Sequence, residues 1–438
     1  MTAAISIRNI NSTHPAVVYR FLQEKSPELS LQLLPLLTDE QFIRLIDYDI
    51  WRKDRLSPLA AIGWLKIYRQ ISNAEMVRRF RSLDEEYQLA IIAPLINLTS
   101  IEEMEKLPVA EQDCYINLPC QELCYRVVAG QHRDIQEFLP LFMEAMLAQD
   151  ITYTYSLLQH AQGSIANEQE ALIAQFRNAR IAEDGYYTTV DAMIIFIAVE
   201  LEEYEQKWQQ PAPPTLPALQ PTDGRQHDNF LERVIRFSQQ HKLFSDEQWQ
   251  AIQLKIIVCA NTLCAATYVE INDSSATRKV LAQTQAMLAL ALDYLAAGVA
   301  EEAARILAAE QAQTLFRVAM TLVARLQQPL LATMHRCSLP QTERLKRLLA
   351  THKWQALADL IDIVYLDLLG IANVELLKAL FSYSPTVVID GKLSDVHSMS
   401  NYQQIAAQAK ELADNILRLE YGNYLNQSST SQGHTYDI

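Results

Sequence analysis

The chain has 438 residues, of which half are hydrophobic, a net charge of −15 and a pI of about 5.1. This length predicts two or three domains, and the hydrophobic fraction is typical of globular chains rather than disordered ones. The acidic balance argues against a non-specific nucleic-acid binder, because such proteins need a basic face to displace counterions. We therefore expect no nucleic-acid partner.

No long apolar segment interrupts the chain. The first thirty residues contain polar breaks, and the most apolar run, Met193–Val199, is far shorter than the ~18 residues that a bilayer-spanning helix requires. We expect neither a signal peptide nor membrane insertion. The six cysteines then predict reduced thiols in a cytoplasmic protein rather than a disulfide framework.

The first hundred residues contain many helix starts. Ser26-Pro27 and Ser57-Pro58 each place a capping oxygen before a proline at the first helical position. Four further pairs fit the reciprocal capping box, namely Thr38 with Gln41, Ser72 with Glu75, Ser82 with Glu85 and Ser100 with Glu103. Short helices are marginal alone and must stack, so the pattern predicts a solenoid-like superhelix of short helices.

Longer helices follow, and one of them is expected to be central. Gly185 is predicted to end a helix that begins near Ala166. Thr188 can then cap a helix that runs to Trp208, whose first half is apolar on all sides. Such a helix is typical of a domain core.

A proline-rich segment then divides the chain. Gln209–Pro221 contains five of the sixteen prolines, and polar sequence continues to Asn229. Proline fixes φ and lacks the backbone N–H, so we expect an extended spacer here. The predicted organisation is a helical superhelix domain over 1–208, a linker over 209–229, a helical-bundle domain over 230–425 and a disordered tail over 426–438.

The second half is rich in alanine and leucine, which favour helices. Pro385–Asp390 is the one stretch that has a clear strand pattern. We therefore predict an all-α fold.

Two resemblances add to these patterns. The phrase FRNARIAEDGYY, at Phe176–Tyr187, resembles a bacterial family of unknown function, as do DYDIWRKD at 47–54 and LFRVAMTLVARL at 315–326. That family implies no activity, cofactor or catalytic residue. The capped, leucine-rich helices of the first hundred residues also look like the helical superhelix of magnesium-transporter N domains and flagellar rotor switch proteins, which is a resemblance in shape.

Motifs for catalysis and cofactors are missing from the sequence. No two of the ten glycines lie within ten residues of each other, which excludes phosphate-binding glycine loops and the G-x-S-x-G elbow. Histidine pairs at metal-binding spacing are also missing. Cys120 and Cys124, with Cys114 and His132 nearby, could form a thiolate site on a helix, but buried thiols are the commoner explanation. We expect no metal and no cofactor.

Paired carboxylates and basic groups remain as weaker candidates. Asp359, Asp362 and Asp367 could form an acid–base group if they were buried together, although an exposed polar face is the commoner arrangement. A second basic group, Arg78, Arg79 and Arg81, could form a surface that binds an anionic partner.

The segment Asp47–Arg55 is the most unusual cluster in the sequence, since it combines three acids, three bases and two aromatic residues. In one interpretation it is a salt-bridged connection between two short helices, with Trp51 in the core. In the other it is a contact surface for a partner protein, because Trp and Arg are enriched at binding hot spots. The candidate interaction residues are Asp47, Asp49, Trp51, Arg52 and Arg55.

The sequence favours a cytoplasmic scaffold or adaptor that binds another protein. Two alternatives remain, an enzyme of unfamiliar type with a carboxylate/Arg site between the halves and a small-ligand sensor in the C-terminal bundle. A deep pocket with convergent polar groups would favour the enzyme, and a shallow groove with exposed aromatics would favour the adaptor.

Overall fold

The structure is a computed structural model that describes residues 10–23, 27–52, 55–119, 122–128, 133–163, 166–208, 229–389 and 392–430. It is 76% helical, which confirms the predicted all-α class. Backbone contacts divide the chain into two compact units. The first unit comprises Met1–Tyr187 and Tyr268–Thr277, and the second unit comprises Thr188–Thr267 and Arg278–Ile438.

Short helices dominate the first unit. They are α1 (Pro15–Gln23), α2 (Pro27–Leu33), α3 (Asp39–Asp49), α4 (Pro58–Ile71), α5 (Asn73–Arg81), α6 (Glu85–Ile92), α7 (Ile101–Met104), α8 (Val109–Gln112), α9 (Arg133–Gln149), α10 (Ile151–Gly163) and α11 (Ala166–Ala182). Single 3₁₀ turns occur at Ile10–Ser12, Leu34–Leu36 and Ala93–Leu95. Aromatic side chains fill the core, where Phe42 meets Tyr68 and Phe80 meets Phe142 edge to face.

Most of the predicted caps are present: Ser72 and Ser100 cap α5 and α7 without the reciprocal bond of a capping box, and Ser26 lies outside the described residues. Thr38 and Gln41 form a complete capping box at the start of α3, and the Ser57 hydroxyl caps α4 with Pro58 in its first turn. The predicted capping box of Ser82 with Glu85 is wrong. The Ser82 hydroxyl donates to the carbonyl of Arg79, and α6 begins at Glu85 after Asp84.

The first unit also contains two small sheets that the sequence did not indicate. Strands β1 (Trp51–Arg52) and β2 (Arg55–Leu56) pair antiparallel. Strands β3 (Ile96–Ser100), β4 (Ile116–Asn117) and β5 (Leu123–Val127) form an antiparallel sheet in the order β3-β5-β4. Strand β3 follows Pro94 in a 3₁₀ turn, and its partner β5 is some twenty residues away along the chain. Local periodicity does not reveal such non-local pairing.

Long apolar helices form the core of the second unit. Its helices are α12 (Thr189–Ala192), α13 (Leu201–Trp208), α14 (Phe230–Gln240), α15 (Asp246–Ala266), α16 (Ser274–Leu295), α17 (Ala300–Ala309), α18 (Ala312–Arg336), α19 (Thr342–Ala350), α20 (Trp354–Leu369), α21 (Ile371–Leu380) and α22 (Met399–Thr430). The predicted strand is β6 (Thr386–Ile389), which pairs with β7 (Lys392–Asp395). Side chains such as Leu290, Leu315 and Leu357 are fully buried.

The predicted central helix over 188–208 is wrong. Thr188 caps α12 as expected, but the chain then forms a 3₁₀ turn over Met193–Phe196 and becomes extended before α13. β-Branched residues lower helix propensity and are concentrated here. Helix α18 holds the extended segment, since the Arg317 guanidinium donates to the carbonyl of Ile197. Ile194 is 54% exposed, so this segment is not a central core helix.

The contact-based division differs from the predicted domain boundary at 208. Residues from Thr188 onward are grouped with the second unit, and Lys207 and Trp208 both bond to the carboxylate of Glu310 on the C-terminal end of α17. The predicted linker lies outside the described residues except for Asn229, which caps α14. Helix α22 continues to Thr430, so the first five residues of the predicted tail, 426–430, are helical.

No single helix in the described ranges has the length and apolar composition to cross a membrane. Within these ranges, length and apolar composition are sufficient only when two consecutive helices are taken together. These are Ser274–Leu295 and Ala300–Ala309, which are bent by 116° relative to each other.

Candidate functional site

Two phrases that are distant in the sequence meet inside the first unit. Helix α3 presents Arg44, Asp47 and Tyr48 on one face, because residues three and four apart lie next to each other on a helix. Helix α11 likewise places Arg177 and Arg180 on one face. The two faces contact each other through side chains, so DYDIW and FRNARIAEDGYY form a single network.

Asp47 is one centre of this network. Its side chain is 0% exposed and accepts two hydrogen bonds from Arg180, which measure 2.7 and 2.9 Å from Nε and Nη2. Tyr87 donates a third from its hydroxyl. Burial disfavours the Arg180 charge, but bonding to Asp47 outweighs burial and raises the pKa of Arg180. The two hydrogen bonds between Arg180 and Asp47 tie α11 to α3.

Asp184 is the second centre and is also 0% exposed. The Arg44 guanidinium donates to its carboxylate at 2.9 Å, the Tyr48 hydroxyl donates to the same oxygen, and His14 Nε2 lies 3.4 Å from the other oxygen. Burial lowers the pKa of His14, and the Asp184 charge only partly opposes this. Arg44 also binds Glu183 and the carbonyl of Arg180 at the end of α11.

The predicted C-cap at Gly185 positions the last member of the network. Gly185 has φ of +88°, a conformation that glycine adopts without a Cβ penalty, and it ends α11. The chain turns back so that the Tyr186 hydroxyl accepts a hydrogen bond of 2.8 Å from Arg20 on α1. The rings of Tyr19, Tyr48 and Tyr186 pack in a row, with centroids 4.9 and 5.7 Å apart.

Trp51 follows α3 and is only 2% exposed. The Arg177 guanidinium lies 5.0 Å from the centre of its ring, and Tyr87 packs against it edge to face. Arg177 also donates from Nε to the carbonyl of Asp47. Trp51 therefore fills the core of the first unit.

The structure places the five candidate interaction residues in three different environments. Asp47 on the inner face of α3 and Trp51 on strand β1 are buried, which for these two residues favours the interpretation of the segment as a connection with Trp51 in the core. Arg52 and Arg55 are exposed on the β1–β2 hairpin, and Arg52 donates to the carbonyls of Asp49 and Trp51. Asp49 is half-buried.

Asp49 differs from the two buried aspartates in its partners. Its carboxylate accepts hydrogen bonds from the Tyr19 hydroxyl at 3.2 Å and from the Trp64 indole N–H at 2.8 Å. Both donors are neutral, and Asp49 forms no ion pair with any residue in the part of the chain that the structure describes. Burial, together with the adjacent Asp49 carboxylate, raises the pKa of Tyr19, so this hydroxyl stays protonated and acts as a donor.

Beside Asp49 lies a pocket of about 360 Å³ in the first unit. Its apolar wall comes from α1, α2, the following 3₁₀ turn and α4, and consists of Leu22, Leu31, Leu34 and Ile67. Its polar lining comes from Tyr19, Gln23, Ser30, Asp49, Trp64 and Gln70. Apolar walls that surround a few convergent polar groups are the usual form of a small-molecule site.

The carboxylates that the sequence singled out elsewhere form no site among the described residues, and the thiolate candidate lies partly outside them. Asp359 and Asp367 are exposed on α20, and Asp362 pairs with Lys378 at 2.9 Å, as expected of a solvated face. Cys124 lies on strand β5 rather than on a helix, and Cys120 is outside the described residues.

The basic group on α5 is not an open anion surface. Arg79 is fully buried against Phe42 and Tyr68 and bonds to Asp39 and Glu75, while Arg78 shares these two carboxylates. Arg81 pairs with Asp150 at 3.2 Å.

Sequence reasoning singled out Asp49 but missed its pocket. The other polar groups, Tyr19 and Trp64, come from helices about thirty and fifteen residues away, and neither belongs to a motif. The available signal was local: a tryptophan inside α4 and a tyrosine inside α1 each carry a polar group that needs a partner when buried.

Comparisons with known proteins agree with one of the two resemblances. No curated protein and no solved structure matches the chain, so the likeness to transporter and rotor superhelices finds no support there. A family model does match residues 7–363, which include the three phrases at 47–54, 176–187 and 315–326. The chain therefore belongs to a family of unknown function, DUF6178.

Proposed function

We propose that this protein binds a small molecule in the pocket of the first unit. The observation that carries the proposal is the pocket of about 360 Å³, which combines an apolar wall with the Asp49 carboxylate. Ligand-binding pockets in proteins usually have this size and composition. The proposal keeps the ligand-sensor alternative from the sequence, but it uses the first unit instead of the C-terminal bundle.

The buried network supports binding rather than catalysis. Asp47 and Asp184 are each held by arginine and are 0% exposed, so a substrate has no access to them. Their effect is to fix the end of α3, from which Asp49 extends. The Tyr19 ring, which lines the pocket, packs directly on Tyr48 of this network.

Filling the pocket tests the proposal. An Ile67→Trp variant places a large ring in the cavity and should abolish binding of apolar probes such as 2-phenylethanol and 2-phenylethylamine. Leu59→Trp is the matched control, because Leu59 is exposed on the same helix and does not line the pocket. Isothermal titration calorimetry on the full chain measures probe binding by the wild type and by both variants. Equal probe binding by wild type and Ile67→Trp would show that the pocket is not the site.

A second candidate function is the protein adaptor that the sequence favoured, and the exposed hairpin residues support it. Arg52 and Arg55 face solvent, and a guanidinium can pair in a bidentate manner with a carboxylate. The partner would be a protein with an acidic surface. Arg52→Ala should weaken its capture from native cells by roughly 1–3 kcal/mol, whereas Arg133→Ala, which removes an exposed charge on α9, should not.

Two further expectations belong with these proposals. We infer a cytoplasmic location, which suits the buried free thiols of Cys124, Cys259 and Cys264. A superhelical arrangement of the short helices also stays a prediction.

A further inference from the structure

We propose that the ligand of this pocket is a small organic amine, whose ammonium group binds Asp49 while its apolar body fills the cavity. This inference rests on the proposed function and specifies its ligand class. Three observations support it: the partners of Asp49, the charge of the lining and the chemistry of the wall.

The partners of Asp49 leave its negative charge without a bonded cation in the described part of the chain. Asp47 and Asp184, on the same network, are both bonded to arginine. Asp49 instead accepts from two neutral donors, and Arg52 bonds to backbone carbonyls rather than to this carboxylate. A carboxylate has about four lone-pair positions, so an ammonium group can add to the two bonds already present.

Among the described residues, the lining of the pocket offers no positively charged side chain that could bind an anion. None of the described residues that line the pocket is a lysine, arginine or histidine. A ligand that carried a carboxylate or phosphate would therefore be repelled by Asp49 without compensation elsewhere in the cavity. This excludes amino acids and nucleotides as good ligands and favours a molecule whose only charge is positive.

The wall defines the rest of the ligand. The aliphatic residues Leu22, Leu31 and Ile67 offer no polar partner, so a body made of hydrocarbon or an aryl ring gains most from burial. The amide oxygen of Gln70 can also accept a hydrogen bond from an ammonium, whereas that of Gln23 already accepts one from Arg20 at 3.1 Å. The resulting ligand class is a primary amine with an apolar body.

Three probes of similar size separate the ligand class from the proposed function. Calorimetry on the full chain compares 2-phenylethylamine, 2-phenylethanol and 3-phenylpropanoate, which differ in charge at one end. We expect the amine to bind at least about tenfold more tightly than the alcohol, as a charge-assisted hydrogen bond allows, and the carboxylate not to bind measurably.

The substitution Asp49→Asn keeps the shape of the side chain and removes its charge. It should remove the preference for the amine, so that the affinities of the amine and the alcohol for this variant become similar. Asp367→Asn, which removes the same charge from an exposed position on α20, should leave all three affinities unchanged.

The possible failures are distinguishable. If the alcohol binds wild type as tightly as the amine, or if Asp49→Asn retains the preference for the amine, the ligand class is wrong while the pocket remains a binding site. If none of the three probes binds wild type, the proposed function is wrong, and so is the ligand class that rests on it. The wild-type series needs no variant, so poor folding of Asp49→Asn would not prevent the test.

Discussion

The two units satisfy their buried polar groups in different ways. In the first unit, arginines reach carboxylates that are far away in sequence, as Arg180 reaches Asp47 and Arg44 reaches Asp184. In the second unit, buried hydroxyls mostly bond within their own helix, as Ser238 does to the carbonyl of Val234 and Thr284 to that of Val280. The stability of the first unit therefore depends on particular residue pairs, and the stability of the second unit depends on the volume of its apolar core.

The difference has consequences for function. A network of specific pairs fixes the position of each side chain it holds, since a charge with its partners has few alternative arrangements. Asp49 lies at the end of α3, which this network holds in place. It accepts hydrogen bonds from two neutral donors and borders the pocket. A core built from leucine and alanine tolerates repacking, so it gives less control over any one polar group.

The largest expected effect comes from the aromatic centre of the first unit. Trp51→Ala should lower the free energy of unfolding by roughly 3–5 kcal/mol, because it leaves a cavity and removes the contacts to Arg177 and Tyr87. Urea unfolding followed by circular dichroism measures the change. A loss below about 1 kcal/mol would show that Trp51 is a surface residue.

Breaking one ion pair should have the next largest effect. Arg180→Met leaves the Asp47 carboxylate buried and without its cation, and should cost about 3 kcal/mol. Replacing both members, in the double variant Asp47→Leu with Arg180→Met, should recover much of this loss, because the buried carboxylate is removed together with its cation. Arg133→Met is the control, since its pairing with Glu137 is exposed and should be worth less than about 0.5 kcal/mol. If the double variant is less stable than Arg180→Met alone, the network is not held by charge compensation.

Removing a buried polar group from the second unit should cost less. Thr284→Val keeps the shape of the side chain and removes a hydroxyl whose partner is one turn away in the same helix, so we expect a loss below about 1 kcal/mol. Urea unfolding followed by circular dichroism measures this change in the free energy of unfolding as well. A loss as large as that of Arg180→Met would contradict the contrast between the units.

The smallest expected effect is a pH dependence in the second unit. Burial lowers the pKa of His352, which lies against Phe196 and Trp354. The unfolded chain, with a histidine pKa of about 6.5, then takes up the proton more readily than the folded chain. Stability should therefore fall as the pH drops from 7 to 5.

His352→Asn should make this fall shallower. Asparagine suits the positive φ of 53° at this position better than most residues do. Urea unfolding of both proteins at several pH values measures the slope, and an identical slope for the two would mean that His352 does not contribute.

Local signals in the sequence predicted the second unit well. Phe230–Gln240, Ala300–Ala309 and Trp354–Leu369 are helices, as the helix-favouring composition predicted, because composition and flanking residues act within a few positions. The stretch Thr188–Trp208 failed because β-branched residues and bonds to α18 outweighed its apolar pattern.

The site in the first unit was harder to predict for a physical reason. The phrases around Asp47 and Arg180 were both recognised, but their pairing joins positions that are 133 residues apart and no periodicity links them. The same applies to the pocket, whose polar groups come from four helices, α1 to α4. Tertiary contacts of this kind depend on the packed fold rather than on local propensity.

The most direct test of ligand binding observes Trp64, whose indole N–H bonds to Asp49 in the pocket. The chain has five tryptophans, so labelling with 5-fluorotryptophan gives five fluorine resonances, and Trp64→Phe identifies one of them. Titration with 2-phenylethylamine should move the Trp64 resonance saturably and leave those of Trp249 and Trp354 unchanged. A Trp64 resonance that stays fixed at saturating amine would contradict binding in this pocket.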